Sequence, residues 1–169
     1  SIKERYKERC GVEFAIPENG YHGKEIIVIA ESLYDEYGDS KLDEDIEFFR
    51  QKGLDILLDG IKKDLDKFRV NFDVFTSEQS LYDRGFVENT LNKLKNSGKC
   101  YIDEGALWLK TTDLYDEKDR VLVKSDGNYT YLLPDIAYHS DKFNRGYDRL
   151  IDVVGSDHHG YIHRLRSSL

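Results

Sequence analysis

The sequence lacks methionine altogether and contains little cysteine, proline or tryptophan. Its two cysteines, Cys10 and Cys100, are too few for a disulfide scaffold or a zinc-binding cysteine motif, so we expect reduced thiols. No apolar run approaches the ~20 residues of a membrane span, and no signal peptide is visible, so we expect no membrane partner. Because an open reading frame starts with methionine, its absence predicts an internal fragment of a longer protein.

Positive charge is also scarce in this chain. The 25 lysine and arginine residues are outnumbered by 33 aspartates and glutamates, which leaves a net charge of −8. Phosphate contacts need a cationic surface, so this balance argues against a free-standing nucleic-acid-binding protein. It is still compatible with RNA binding through other parts of a longer protein.

Apolar periodicity predicts the elements of the first part of the chain. Apolar residues recur at helical spacing over residues 24–38, 54–69 and 85–98, and we predict an amphipathic helix in each stretch. The alternating NFDVF at residues 71–75 predicts a short strand, and the TSEQS that follows at residues 76–80 predicts a loop beyond its end.

The pattern changes at residue 99. Short aromatic and β-branched runs alternate with turn residues up to residue 133, which predicts a small antiparallel sheet with Asp126–Gly127 as a tight hairpin turn. Residues 133–146 are typical of a helix, and residues 148–154 of an apolar strand. Residues 157–169 then predict the start of another helix.

This order of elements predicts an α/β fold, in which a parallel core is flanked by helices and carries a small antiparallel β insert. We expect one partial domain with three parts. Residues 1–98 would hold helices and the first strand, residues 99–130 the β-rich insert, and residues 131–169 the second strand and its helix.

Acidic residues follow or precede the predicted core elements at positions where ligands bind in open α/β sheets. Glu78 lies in the TSEQS loop, where a carboxylate binds a cation, acts as a base or caps the next helix. Asp135 lies four residues after Tyr131, so a helix places the phenol and the carboxylate on one face. An acid in a first helical turn is also favoured by the helix dipole. Two carboxylates and a phenol suit a guanidinium, whose donors pair with acids and whose flat face stacks on an aromatic ring.

The SDHHG stretch from Ser156 to Gly160 leaves several functions open. As a strand-to-helix turn, it presents backbone N–H groups and the imidazoles of His158 and His159 at a helix N-terminus, where phosphate or another polar ligand is favoured. The triplet also resembles the metal-dependent DHH phosphoesterases, but Asp157 and the two histidines are adjacent and cannot all face one ion on regular backbone. A third interpretation is a turn of exposed polar residues without a ligand.

Five stretches together resemble arginyl-tRNA synthetases, a family of class I aminoacyl-tRNA synthetases. They are YHGKEIIVIA, the SEQSLY of TSEQSLYDRG, ALWLKTT, DRVLVKSDGNYTYLLPDIAYH and VVGSDHHGYIHRL. The resemblance covers nearly the whole chain and implies a partial catalytic domain of a cytoplasmic ligase over residues 1–169, with a partial Rossmann-type parallel sheet flanked by helices. In this family the domain activates arginine with ATP, which is expected to bind with Mg²⁺, and then transfers the arginyl group from arginyl-adenylate to tRNA.

The resemblance also implies roles for particular residues. Glu78 matches the acid of a Ser-Glu-x-Ser segment, and Tyr131 and Asp135 match a Tyr-x-x-x-Asp segment, whose side chains contact the substrate guanidinium. The GSDHHGY turn matches a strand end that lines the arginine and adenosine pocket. The expected site residues are therefore Glu78, Tyr131, Asp135 and His158 for arginine and Ser156, Asp157, His159 and Gly160 for ATP or its adenosine, with no protein ligand expected for a metal.

Two class I signatures for the ATP phosphates, His-x-Gly-His and Lys-Met-Ser-Lys-Ser, do not occur in the chain. YHGK at residues 21–24 does not replace the first, because it lacks the second histidine and follows no strand. The helical anticodon-binding domain does not occur either, so tRNA is expected to bind mostly through other regions. We therefore expect the chain to hold the arginine-selecting side and to be inactive alone. A stand-alone arginine-sensing or partner-binding module and a DHH-type metal phosphoesterase stay open as alternatives.

Overall fold

The computed structural model describes the backbone of residues 1–169 and every side chain except that of His159. The chain forms two compact units, Ser1–Asp73 and Val74–Leu169. Among the described residues, no helix is both long and apolar enough to cross a membrane.

The first unit is helical, with α1 (Ile2–Arg9), α2 (Lys24–Tyr37) and α3 (Ile46–Lys67). Asp45 caps α3, because its carboxylate accepts a hydrogen bond from the Phe48 amide at 2.9 Å. The core of this unit takes side chains from all these helices, namely Tyr6, Ile26, Ile29, Ala30, Leu33 and Phe49.

From Leu54 onwards, α3 and its C-cap residue, Phe68, present apolar side chains to solvent. Leu54, Ile61 and Phe68 are 48%, 53% and 80% exposed, whereas the buried residues of α3, Phe49 and Gly53, lie nearer its start. The predicted helix is confirmed, but the structure does not bury the stripe of apolar residues that predicted it.

The second unit is mixed α/β. Helices α4 and α5 precede a small sheet, in which three antiparallel strands follow the order β1-β2-β3, and α6 and α7 come after it. The bounds are α4 (Glu78–Asp83), α5 (Phe86–Asn96), β1 (Cys100–Asp103), β2 (Ala106–Leu109), β3 (Arg120–Val123), α6 (Leu132–Asn144) and α7 (His159–Arg166), with 3-10 turns at Thr111–Asp113 and Ser156–His158.

The core of the second unit fixes the orientation of α6. Four residues in the first turns of α6 are buried at helical spacing, and they pack with residues of α4, α5 and the sheet. Tyr131 and Asp135 lie beside this buried face and reach solvent. The buried residues of the core are Leu81, Val87, Leu91, Leu109, Leu122, Leu132, Leu133, Ile136 and Ala137.

The predicted small antiparallel sheet is confirmed, and a turn forms at Asp126–Gly127 as expected. Gly127 has a φ of +83° and donates to the Lys124 carbonyl at 2.9 Å, a conformation that favours glycine. The strand expected over residues 128–133 is wrong, since only Tyr129 forms an isolated bridge, with Val123. Its last residues join α6 instead, because Pro134 is compatible with a first helical turn.

The mixed α/β class is confirmed, but the described residues form no parallel sheet. Residues 71–75 and 148–154, which were expected as strands, form no strand in this structure. A strand completes its hydrogen bonds only on a neighbouring strand, and neither stretch pairs with one in the described chain. Apolar side chains in both stretches are exposed, such as Val74 at 57% and Val153 at 93%.

Candidate functional site

Asp135 lines two clefts of the second unit. The first, which we call the α4–α6 cleft, has a volume of about 210 Å³. The second, which we call the α6–α7 cleft, has a volume of about 500 Å³. The α4–α6 cleft is lined by Thr76, Glu78, Leu81, Pro134, Asp135 and Tyr138, and the α6–α7 cleft by Tyr131, Asp135, Asp157, His158, Gly160, Tyr161 and Arg164.

The structure brings the two acids from distant segments together in the α4–α6 cleft. Glu78 is the first residue of α4 and is exposed, while Asp135 lies in the first turn of α6 and is half-buried. The TSEQS stretch is thus a helix start rather than a loop throughout. Among the described residues, the Glu78 carboxylate has no hydrogen-bond or ion-pair partner, so it is available to a ligand.

Tyr161 is a residue that the sequence reasoning missed. Its phenol donates a hydrogen bond to Oδ2 of Asp135. Burial, and next this carboxylate, raise the pKa of Tyr161 above its ordinary value, so the phenol remains a neutral donor at physiological pH. Oδ1 of Asp135 accepts no hydrogen bond from the described residues and is free to bind a donor from a ligand.

Tyr131 already contacts a guanidinium, which belongs to the chain itself. Arg164 donates from Nη1 to the Tyr131 phenol oxygen at 2.6 Å. The same guanidinium lies over the rings of Tyr161, at 5.3 Å, and Tyr131, at 6.0 Å. A second cation placed on Tyr131 would be repelled by Arg164, so the unpaired acid oxygens of Glu78 and Asp135 are the more favourable position for a ligand cation.

A faint sequence signal exists for Tyr161 and for Arg164, which sequence reasoning also missed. Tyr161 and Arg164 are three positions apart on α7, so they share a helix face. The sequence contains no indication of which residues that face meets, because the contacts to Tyr131 and Asp135 come from a separate helix.

Some of the SDHHG residues line the α6–α7 cleft. Asp157, His158 and Gly160 line the α6–α7 cleft, whereas Ser156, in the 3-10 turn, lines neither of the two clefts described here. The side chain of His159 lies outside the described residues. His158 and Asp157 are 60% and 80% exposed, with Nε2 and Oδ2 3.5 Å apart.

No group of three or more histidine, cysteine, aspartate or glutamate residues is arranged to hold a metal ion in the part of the chain that the structure describes.

A buried histidine ties α6 to the segment before SDHHG. Nδ1 of His139 lies 2.8 Å from the Asp135 carbonyl oxygen, and Nε2 lies 3.1 Å from Oδ2 of Asp152. Lys142 donates to the other oxygen of Asp152 at 2.7 Å. Burial opposes ionisation of Asp152, but Lys142 and His139 outweigh it and lower the pKa of this carboxyl. These contacts link α6 to Asp152, which precedes the SDHHG stretch.

Comparisons with known proteins agree with this arrangement of motifs. A family model described as tRNA synthetases class I (R), catalytic domain, matches residues 22–167. The arginine–tRNA ligases of Bacillus subtilis and Shouchella clausii are 49% and 53% identical to the chain over its full length. The chain spans 31% of the length of each of these curated relatives.

A solved structure has the same fold over nearly the whole chain. It is a crystal structure from Campylobacter jejuni assigned as an arginyl-tRNA synthetase, 37% identical, with a TM-score of 0.85 over 99% of this chain and 37% of that chain. With the family match over residues 22–167, this likeness establishes common descent. The chain therefore belongs to the family of class I tRNA synthetases (R), catalytic domain.

Proposed function

We propose that the chain is the arginine-selecting part of an arginine–tRNA ligase, a cytoplasmic enzyme that activates arginine with ATP and transfers it to tRNA. The observation that carries this proposal is the α4–α6 cleft, where Glu78 and Asp135 present two carboxylates from separate helices. A guanidinium has N–H donors and no acceptor, so it needs acids of this kind. The relatives named as arginine–tRNA ligases support arginine as the molecule that supplies the guanidinium.

In this proposal each acid accepts from a different edge of the guanidinium. Oδ1 of Asp135 accepts one donor, while the Tyr161 hydrogen bond to Oδ2 keeps the carboxylate in place. Glu78 accepts another from the opposite side of the cleft. A neutral ureido side chain lacks the charge, and a lysine ammonium lacks the planar fork, so citrulline and lysine would leave an acid poorly paired.

We assign the α6–α7 cleft to ATP and its adenosine. This cleft is lined by Asp157, His158 and Gly160. In the full-length ligase, we propose that the ATP site also includes Ser156 and His159. His158 lines the α6–α7 cleft together with Asp135, so it is proposed to contact the arginine as well. In the reaction the arginine carboxylate attacks the α-phosphorus of ATP, the bond between the α- and β-phosphates breaks and pyrophosphate leaves. No covalent enzyme intermediate forms, so the protein contributes positioning and charge stabilisation. Mg²⁺ is assigned to the ATP phosphates, since no residue of this chain is proposed as its ligand.

The chain alone is proposed to be inactive. The His-x-Gly-His and Lys-Met-Ser-Lys-Ser signatures and most tRNA contacts would come from the rest of the ligase. We propose that residues 71–75 and 148–154 become strands of a parallel Rossmann-type sheet there, with residues 99–130 as its insert between parts 1–98 and 131–169. The exposure of apolar side chains such as Val74 and Val153 supports this, because a sheet would bury them.

Attachment of radiolabelled amino acids to tRNA by the complete protein tests the function. We expect charging with arginine and none with lysine or citrulline at the same concentration. A protein that binds arginine but does not charge tRNA would instead be an arginine-sensing module, and one that charges tRNA equally with lysine would refute the assigned selectivity.

A further inference from the structure

The geometry of the α4–α6 cleft depends on a helix that cannot hold its own position. Helix α4 has six residues, well below the ~12–15 that an isolated helix needs. Its N-cap residue, Ser77, makes no side-chain capping bond, and Leu81 is its buried residue. Contacts with the rest of the unit must therefore determine where α4 places Glu78.

Asp141, in the last turns of α6, lies between two arginines. Arg145 donates to Oδ2 from Nε at 3.2 Å and from Nη2 at 2.7 Å. Arg84 donates to Oδ1 from Nη1 at 3.1 Å. The Asp141 side chain is 12% exposed. Hydrogen bonds from Arg145, partly opposed by burial, and then Arg84 lower the pKa of Asp141, so it stays charged at neutral pH. We call these three residues the α4 clamp.

The α4 clamp reaches both ends of α4. Arg84 directly follows the last residue of the helix. At the other end, Nη2 of Arg145 also donates to Oγ1 of Thr76 at 3.0 Å, two residues before Glu78. Thr76 itself lines the α4–α6 cleft. One carboxylate of α6 thus connects to the chain before α4 and to the chain after it.

We propose that Asp141 is a positioning residue for arginine selection, an inference that rests on the proposed function. Asp141 does not line the α4–α6 cleft, and it acts through α4. Asp135 and Asp141 belong to the same helix, so the clamp fixes Glu78 relative to the element that carries the other acid. A guanidinium bound between Glu78 and Asp135 requires their separation to be correct, and a displacement of about 1 Å at a reacting or binding group is costly.

A purely structural ion pair makes a different prediction from a positioning residue. Loss of a structural pair lowers the thermal stability and affects all substrates alike. Loss of a positioning residue weakens arginine binding selectively, because the α6–α7 cleft assigned to ATP does not include α4. The ratio between the KM for arginine and the KM for ATP therefore distinguishes the two roles.

The test is D141N in the complete ligase, with kcat and both KM values measured by tRNA charging and the folded state checked by thermal unfolding. We expect the KM for arginine to rise about tenfold, while the KM for ATP stays within about twofold. The matched control is D119N. Asp119 also accepts three hydrogen bonds, from Tyr101 Oη and from the amide and hydroxyl of Thr112, but it lines neither cleft. D119N should leave the arginine-to-ATP ratio unchanged.

A second variant covers the case in which D141N fails to fold. T76V removes the Thr76 hydroxyl, which accepts a hydrogen bond from Arg145. The loss of one hydrogen bond should raise the KM for arginine about fivefold. If D141N folds, its combination with T76V should give less than the product of the single effects, because both act through Arg145.

The outcomes separate this inference from the proposed function. A wild-type ligase that does not charge tRNA with arginine refutes the proposed function itself. If the wild type charges arginine, the clamp proposal is overturned by a folded D141N with an unchanged arginine-to-ATP ratio, or by an unchanged ratio in T76V where D141N does not fold.

Discussion

Asp135 combines a fixed and an open carboxylate oxygen at a single position. Tyr161 donates a hydrogen bond to Oδ2, and Oδ1 accepts none from the described residues, while Asp135 and Glu78 line the same α4–α6 cleft. The sequence was sufficient to single out Glu78, Tyr131 and Asp135, because acid and phenol types indicate a guanidinium. It was insufficient for Tyr161, because the identity of a hydrogen-bond partner on a distant helix depends on tertiary packing.

Replacement of Tyr161 by phenylalanine tests whether this orientation matters. Y161F keeps the ring under Arg164 but removes the donor to Asp135, so the carboxylate becomes free to rotate. A lost hydrogen bond to a charged group costs about 1.5–3 kcal/mol, which predicts a rise of at least about tenfold in the KM for arginine. Measurement of tRNA charging by the complete ligase checks this.

The control for Y161F is Y147F, which removes the phenol of a 62% exposed tyrosine. Y147F should leave the KM for arginine unchanged. Equal KM values in Y161F and the wild type would mean that Asp135 does not need its tyrosine partner.

At the scale of elements, the helices were predictable and the parallel strands were not. A helix completes its hydrogen bonds within its own segment, so the periodicity of residues 24–38 and 85–98 was enough to find α2 and α5. A parallel strand needs a neighbouring strand to complete its hydrogen bonds. Residues 148–154 therefore have the apolar pattern of a strand but do not form one in this structure. The antiparallel sheet was found because each of its strands pairs with the next strand along the chain, and β1 and β2 are joined by a two-residue turn.

Two glycines allow backbone strain to be tested apart from packing. A Cβ at either Gly127 or Gly60 would meet no atom within 4 Å, but Gly127 has a φ of +83° and Gly60 lies inside α3. G127A should destabilise the hairpin by about 1 kcal/mol or more, because L residues disfavour this φ. G60A should stabilise α3 by about 0.5–1 kcal/mol, because alanine favours a helix.

Amide hydrogen exchange measures the local stability of the hairpin and of α3 separately. Protection should fall in β3 and its turn for G127A and rise along α3 for G60A. A hairpin whose protection is unaffected by G127A would contradict the positive-φ turn.

At the scale of the whole molecule, the family was identified from sequence motifs rather than from the predicted fold. The net charge of −8 argued against a free-standing nucleic-acid-binding protein, and it did not indicate a ligase. The spaced stretches around Glu78, Asp135 and SDHHG identified the family, which the match over residues 22–167 established. The degree to which the apolar face of α3 and Val153 are exposed came from the structure, because exposure depends on what a side chain packs against and not only on its type.

Two acids, Glu78 and Asp135, are proposed to select a guanidinium together. The most direct test is a double-mutant cycle with E78Q and D135N in the complete ligase, in which the KM for arginine and the KM for ATP are measured by tRNA charging. Each single variant should raise the KM for arginine by about tenfold or more with little change for ATP, and the double variant should deviate from the product of the two. An arginine KM and kcat that D135N leaves at wild-type values would contradict the account.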